Sequence, residues 1–378
     1  MKKICIIGGG AAGLACAVFL GRKGCDVTVL ERGARLGRKL SATGNGQGNV
    51  TNTAVSAERY FSDDREAVKS ALARFGAEET VSFLESMGGI FLSDARGRVY
   101  PASKQASAVT DLFRRELDGL KIHTVLNAHV KDLAYQEGFK IVWAEGRMRA
   151  DAVILAAGGA AAPSFGTDGN AYALAQAFGH TLVPTRPVLV QLRCDKEGVR
   201  GLKGIRVDAL VRVLRQKKEL YRCRGDVLFT DCGVSGDAVF RASSYAQTGD
   251  ELLLDFLPDV SRERLARAIE SNQNELLCIV NNTLARTIQK RANGDMARVS
   301  ALVKEYPLGV TGTLGFDYAQ VTRGGIPLCE TDASFQSKKR AGLYFAGEIL
   351  NVDGECGGYN LQWAFTSAFC VSEAISRV

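Results

Sequence analysis

Gly8, Gly10, Gly13 and Glu31 are the residues whose types and spacing point to the most specific chemistry in this chain. In Gly8-Gly9-Gly10-Ala11-Ala12-Gly13, the first glycine allows a tight turn and Gly10 lets backbone approach a pyrophosphate. Gly13 lets the following helix lie close on a sheet. Glu31 stands 18 residues beyond Gly13, the spacing from which a carboxylate grips the two hydroxyls of an adenosine ribose. The elements that must hold these groups surround them. Lys3-Ile4-Cys5-Ile6-Ile7 is nearly all apolar, as a central parallel strand covered on both faces requires. Leu14, Ala17, Val18 and Leu20 mark a helix that stops at Gly24, and Asp26-Val27-Thr28-Val29-Leu30 is the strand that delivers Glu31. Glycine-rich turns are common. Strand, glycines, small-residue helix, second strand and acid in register make a dinucleotide site.

NAD and FAD share the ADP half, so two distant segments decide between them. Asp151-Ala152-Val153-Ile154-Leu155-Ala156-Ala157-Gly158-Gly159 is a second buried strand ending in small residues. Gly342-Leu343-Tyr344-Phe345-Ala346-Gly347-Glu348 is a third, followed by a glycine-rich loop and a helix start at Gly357-Gly358-Tyr359-Asn360-Leu361. A nicotinamide dehydrogenase needs no closing strand, loop and helix at the far end of the chain. A flavin does, because its ribityl chain and ring need a second polar anchor, and a helix N-terminus offers N–H groups to the ring's pyrimidine edge. FAD, held non-covalently, is the expected cofactor. The expected fold is α/β, with a Rossmann-like FAD-binding domain split in sequence by an insertion.

Three further runs carry a family resemblance: Gly37-Arg38-Lys39-Leu40-Ser41-Ala42-Thr43-Gly44-Asn45-Gly46, Asn49-Val50-Thr51-Asn52, and Cys356-Gly357-Gly358-Tyr359-Asn360-Leu361-Gln362-Trp363-Ala364. With these, the chain resembles over its whole length the BaiN/aminoacetone oxidase family of FAD-dependent NAD(P)H oxidoreductases. Fingerprint and resemblance together predict FAD contacts from Gly8, Gly10, Ala11, Ala12, Gly13 and Glu31, and from the basic stretch Arg32, Arg38 and Lys39 near the pyrophosphate. The loop residues Ala42, Thr43, Gly44 and Asn49 follow, then Val130, Ala157 and Gly158. The C-terminal contacts are Gly347, Glu348, Gly358, Tyr359, Asn360 and Leu361. One departure stands out. Gln47-Gly48 replaces the family's usual Arg-Cys, so a charged side chain expected near the cofactor is missing.

Composition fits an ordinary enzyme. The 378 residues suffice for two or three domains, and 46% apolar content can bury a sizeable core. No apolar run approaches the roughly 18 residues that span a bilayer. Met1-Lys2-Lys3 leads straight into the first strand without a cleavage site, so a cytoplasmic location is expected rather than secretion. Ten cysteines include no C-x-x-C pair, which argues for buried reduced thiols; Cys356, in the flavin loop, is weighed between packing and a redox role. His123, His129 and His180 have no metal-ligand spacing, so no metal site is expected. The net charge of +7 is moderate. Neither Lys338-Lys339-Arg340 nor the run from Arg35 to Lys39 has the interleaved aromatics of a single-strand groove, so a small-molecule substrate is expected and no nucleic acid. The sequence leaves the oligomeric state open.

The expected organisation is a first cofactor part over 1–186, β-rich segments over 187–258 and 307–337, a helical insert over 259–306, and a last cofactor part over 338–378. Ile122–Val125, Val130–Leu133 and Phe139–Trp143 read as a small antiparallel addition. Val207–Val213 and Glu219–Arg222 read as a hairpin, and Leu265, Ile269, Leu276, Leu277, Ile279, Leu284, Ile288, Val299, Leu302 and Val303 as three short helices. No second GxGxxG is present: Gly158-Gly159 through Gly166 is broken by Pro163. NAD(P)H is therefore expected as a transient hydride donor that enters the substrate cleft and leaves before the substrate binds, with the inserts as a lid. The resemblance implies reduction of an activated C=C bond, an enone of steroid or bile-acid type, with Tyr359, Tyr318 and Arg323 as candidate proton donors or carbonyl polarisers. The alternatives are an amine oxidase that passes electrons from an aminoacetone-like amine to O2, and a flavin-carrying binding or tRNA-modifying accessory protein.

Overall fold

The computed structural model describes residues 2–273 and 275–377. Two compact units are present: one comprises the chain up to Arg186 together with Val321 onward, the other runs from Pro187 to Gln320.

The first unit is built on a five-stranded parallel sheet in the order Leu343–Phe345, Ala152–Leu155, Lys3–Ile7, Asp26–Leu30, His123–Val125. Lys3–Ile7 is central, with Ile4 opposite both Ala152 and Val27, and from Ile4 onward it is fully buried. That is why it carries no polar alternation. The helix Ala11–Arg22 and the C-terminal helix Tyr359–Ser376 pack as neighbours: Cys16 Sγ lies 3.8 Å from the Ala368 carbonyl oxygen. Both are buried around much of their circumference, which accounts for their small and apolar residues on every face. Phe19 stacks on Phe83 at 4.2 Å between ring centroids and Phe75 on Phe369 at 4.7 Å, closing that side of the core.

One expectation is corrected here. His123–Val125 is no part of an antiparallel addition; it pairs in parallel with Asp26–Leu30 as the edge of the main sheet, Thr28 opposite His123. Three residues are too few to show which kind of ladder they join. The antiparallel sheet consists instead of Val130–Tyr135, Phe139–Trp143 and Gly146–Ala150. Residues 321–337, placed by the sequence pattern with the β-rich return, lie in the first unit. They are held there by bonds from Thr322 and Arg323 to Glu348 and Asp353.

The second unit is a closed six-stranded barrel of Leu192–Cys194, Gly233–Ser235, Lys218–Phe229, Arg206–Arg215, Glu251–Asp255 and Tyr306–Thr313. Arg206–Arg215 and Lys218–Phe229 form the hairpin, Val213 opposite Tyr221, and Val211, Val213, Val227, Leu252, Leu254 and Leu308 fill the interior. Helices Arg262–Ser271, Asn282–Ala292 and Met296–Lys304 lie in the chain between the strands Glu251–Asp255 and Tyr306–Thr313, their N-termini capped by the side chains of Ser261, Asn281 and Asp295. Leu276, Leu277 and Ile279 fall in the turns between the first two of these helices rather than on a helix, and Leu277 is exposed.

Lys304 is a buried cation in this unit. Its ammonium pairs with Asp255 at 2.7 Å and donates to the carbonyl oxygens of Leu257 and Val260 at 2.6 and 2.9 Å. Lys304→Met removes the charge and leaves a largely buried carboxylate and two carbonyls without their donor. It is expected to destabilise this unit by about 3 kcal/mol. Urea unfolding followed by hydrogen exchange resolved along the chain checks this: faster exchange confined to residues 187–320 is expected, and an unchanged profile would show that the pair contributes nothing.

Candidate cofactor site

The three fingerprint glycines differ in their surroundings as their roles require. Gly8, with φ +111°, ends the first strand so tightly that a Cβ there would lie 2.6 Å from the Ala156 carbonyl oxygen. A Cβ on Gly13 would lie 1.9 Å from the Gly8 carbonyl oxygen, so the helix can approach the turn only with glycine there. A Cβ on Gly10 would meet nothing within 4 Å. Gly10 is the N-cap of Ala11–Arg22, and no side chain caps this helix, so its first N–H groups have no side-chain partner there. The arrangement suits a pyrophosphate. Glu31, at the end of its strand, accepts from the backbone N–H of Gly9 at 2.8 Å and of Gly33 at 2.6 Å, one per carboxylate oxygen. Each oxygen keeps a lone pair for a ribose hydroxyl. The segment leading to Val130 runs beside it, Ala128 N–H donating to the Glu31 carbonyl at 2.8 Å.

The basic stretch after Glu31 is tied down. Arg32 pairs with Asp168 at 2.6 Å and Arg38 donates to the Ser164 carbonyl at 2.8 Å, so both hold the loop that follows Ala157 and Gly158. Lys39 pairs with Glu348 at 2.8 Å, linking the first cofactor segment to the last. Glu348 also accepts the Thr322 N–H at 2.8 Å, and Thr322 Oγ1 in turn accepts from Ala160 and Ala161, both at 2.8 Å. The loop of Ala42, Thr43 and Gly44 folds back on itself, Thr43 Oγ1 donating to the Leu40 carbonyl at 2.7 Å. At Gly48, one of the two residues that depart from the family's pattern, φ is +77°, and a Cβ would lie 2.9 Å from Ala106 Cα. Gln47 is exposed.

At the C-terminal end, Gly347 (φ +79°) and Glu348 follow the edge strand, and Gly358 (φ +103°) is the N-cap of Tyr359–Ser376. No side chain caps this helix either, and its first turn carries no acid. The N–H groups of Tyr359, Asn360 and Leu361 are therefore available to a carbonyl. The Asn360 side chain serves the loop instead, accepting from Gly354 N–H and donating to the Gly354 carbonyl, both at 2.8 Å.

The candidate catalytic residues fall in different units: Tyr359 and Arg323 in the first, Tyr318 in the second. Tyr359 is buried, its ring edge-on to Tyr60, and burial raises its phenol above the ordinary range. Arg323 forms a two-pronged pair with Asp353 at 2.7 and 2.8 Å and lies 3.6 Å from the Phe61 ring centroid. Burial pushes the Asp353 carboxyl up despite that partner. Tyr318 belongs to the second unit and is 59% exposed. Thr322, Asp353 and Tyr172 were not anticipated from sequence. Tyr172 is buried with an unpartnered hydroxyl, and burial together with the Glu348 charge raises its phenol. Asp353 had a signal: it is the single acid in the mostly apolar run Ile349-Leu350-Asn351-Val352-Asp353-Gly354. His180 is taken up by Glu330 and Ser337 at 2.8 and 2.7 Å. No helix among the described residues is long and apolar enough to cross a membrane.

Comparison with known proteins agrees with this geometry. The family model of the HI0933-like protein Rossmann domain matches residues 2–374. Over 411 aligned residues the chain is 35% identical to a 3-dehydro-bile acid delta(4,6)-reductase of Clostridium scindens, with 100% of both chains covered. It is 30% identical to a ribosomal RNA dihydrouridine synthase of Escherichia coli, covering 98% of this chain and 97% of that one. Among solved structures it is similar in fold to a 3-ketosteroid-delta4-(5alpha)-dehydrogenase from Rhodococcus jostii, with a TM-score of 0.55, 16% identity, and 99% and 97% of the two chains covered.

Glu31→Ala tests the ribose contact. Loss of charge-assisted hydrogen bonds should cost roughly 1.5–3 kcal/mol of FAD affinity. Titration of the FAD-depleted protein measures this, and an unchanged dissociation constant would mean that Glu31 serves only the turn.

Proposed function

Given that this chain belongs to the HI0933-like Rossmann family of FAD-dependent oxidoreductases, we propose that it reduces an activated carbon–carbon double bond with hydride from NAD(P)H. The observation that carries this reading is end-to-end identity of 35% with a protein named as a bile-acid reductase. When bound, FAD would supply the redox chemistry that links a nicotinamide's hydride to an enone's β-carbon, the proton for the α-carbon coming from a protein group or water. The chain's own residues hold and polarise. The uncapped start of Tyr359–Ser376 would hold the pyrimidine edge of the ring and would favour negative charge there. The Lys39–Glu348 pair and Thr322 fix the wall between the two cofactor segments. Arg323, held by Asp353, is a fixed positive charge suited to polarising a carbonyl. Tyr359 is the assigned proton donor, and burial raises its phenol above the ordinary range, so it carries its proton at neutral pH. The substrate we assign is a small, mostly apolar enone of steroid type, and the chain is assigned to the cytoplasm.

A second reading is favoured by the 30% identity to a ribosomal RNA dihydrouridine synthase over 98% of this chain. The 5,6-double bond of uracil is conjugated to a carbonyl, so the same addition of hydride and proton applies. This reading departs from the expectation of no nucleic-acid partner.

Under anaerobic conditions NADH or NADPH is expected to bleach the flavin without a second substrate. A bile-acid-like enone should then restore the yellow colour and yield the saturated product. Reoxidation by unmodified ribosomal RNA, with enones no faster than buffer, would favour the second reading. Bleaching by aminoacetone-like amines but poorly by nicotinamides, with oxygen turned over to peroxide, would overturn both in favour of an amine oxidase.

A further inference from the structure

Asn49 is nine-tenths buried, with 9% of its surface exposed, and its side-chain oxygen Oδ1 has no hydrogen-bond partner. Buried acceptors are normally satisfied, and an orphan at a binding site marks where a donor arrives. Its direction is clear. A Cβ placed on Gly358 would lie 2.8 Å from Asn49 Oδ1 and 2.3 Å from the Thr51 carbonyl oxygen. Oδ1 therefore sits against the N-cap of the 18-residue helix Tyr359–Ser376, whose first N–H groups have no capping side chain.

The two halves of this arrangement are held in register. Thr51 Oγ1 bonds to the Gln362 side chain, whose amide also donates to the carbonyls of Phe75 and Gly76 at 3.1 and 3.0 Å. Asn52 Nδ2 donates to the Gly357 carbonyl at 2.9 Å, and the Tyr60 hydroxyl to the Tyr359 carbonyl at 2.9 Å. Strand and helix start cannot shift apart without breaking buried bonds.

A helix N-terminus alone suits any anion. Here backbone donors stand beside a fixed acceptor that would repel a phosphate or carboxylate. The matching ligand presents carbonyl oxygens flanking an N–H, the edge of a cyclic imide. The pyrimidine ring of a flavin has that edge, and so does uracil. We propose that Asn49 Oδ1 accepts the N3–H of the flavin ring while the N-terminus of Tyr359–Ser376 donates to the adjacent carbonyl. Asn49 is thus a positioning residue that sets which way the ring faces, an assignment that rests on the FAD reading above.

FAD methylated at N3 tests it, bound to the FAD-depleted full-length protein and followed by flavin fluorescence. Wild type is expected to bind 3-methyl-FAD about tenfold or more weaker than FAD, the size of one lost buried hydrogen bond. Asn49→Ala should bind FAD weaker and no longer distinguish the two. Asn49→Asp keeps an acceptor and adds negative charge, so it should keep the discrimination and lower the flavin midpoint potential. If Asn49→Ala does not fold, the wild-type ratio and the aspartate variant decide. Equal binding of both flavins by wild type, or discrimination surviving in Asn49→Ala, overturns the assignment and leaves the FAD reading standing. So does an Asn49→Ala protein that binds FAD normally but loses binding of uridine, which would give the imide site to uracil. Failure of wild type to bind FAD at all overturns the FAD reading itself.

Discussion

A Cβ placed on Gly347 would lie 2.8 Å from the Ala12 Cβ, and the rest of the first unit depends on that approach. Ala12 opens the first helix and Gly347 follows the last strand of the parallel sheet, so the two ends of the cofactor segments meet at one point. Ala346 N–H bonds to the Leu155 carbonyl at 3.0 Å, and Gly347 N–H bonds to Ser367 Oγ at 2.8 Å. Strand, turn and C-terminal helix are thereby tied together, with the first helix packed closely against the turn. Any side chain at Gly347 would wedge them apart, and its positive φ disfavours one on backbone grounds as well. A cofactor that needs an ADP cradle at one end and a ring anchor at the other can be held only while this junction is closed.

Around the junction the polar groups form one connected wall. Lys39, Glu348, Thr322 and the backbone of Ala160 and Ala161 share bonds, and the two-pronged Arg323–Asp353 pair continues the wall beside Phe61. Charges in such positions are costly unless paired, and among these Lys39, Glu348, Arg323 and Asp353 each have a partner. Two neutral groups of this unit, the Asn49 amide oxygen and the Tyr172 hydroxyl, are among those buried without a hydrogen bond. A polar wall whose members hold one another in place is what preorganisation for a ligand requires.

What the sequence disclosed was local. Gly8, Gly10, Gly13 and Glu31 lie within one strand–helix–strand unit, so the roles proposed for them could be read from spacing alone, and the open space at Gly10 and the close contacts at Gly8 and Gly13 are compatible with those roles. The closing strand before Gly347 and the helix start at Tyr359 were equally legible, because small residues between an apolar run and a helix have few other uses. What stayed hidden depends on partners distant in sequence. Thr322 and Asp353 acquire meaning only from residues 26 and 30 positions away, Glu348 and Arg323 respectively. His123–Val125 was misassigned because a three-residue strand carries no record of its partner. Barrel closure in the second unit rests on strands as short as Leu192–Cys194 and Gly233–Ser235, whose pairing no periodicity reveals.

The central claim is that the two ends of the chain together hold FAD. Denaturing the purified protein with heat or acid and separating the released chromophore from FAD and FMN standards tests it most directly. FAD, at about one per chain, is the predicted result. FMN, which has no adenosine ribose for Glu31, or no flavin even after reconstitution with FAD, would contradict it.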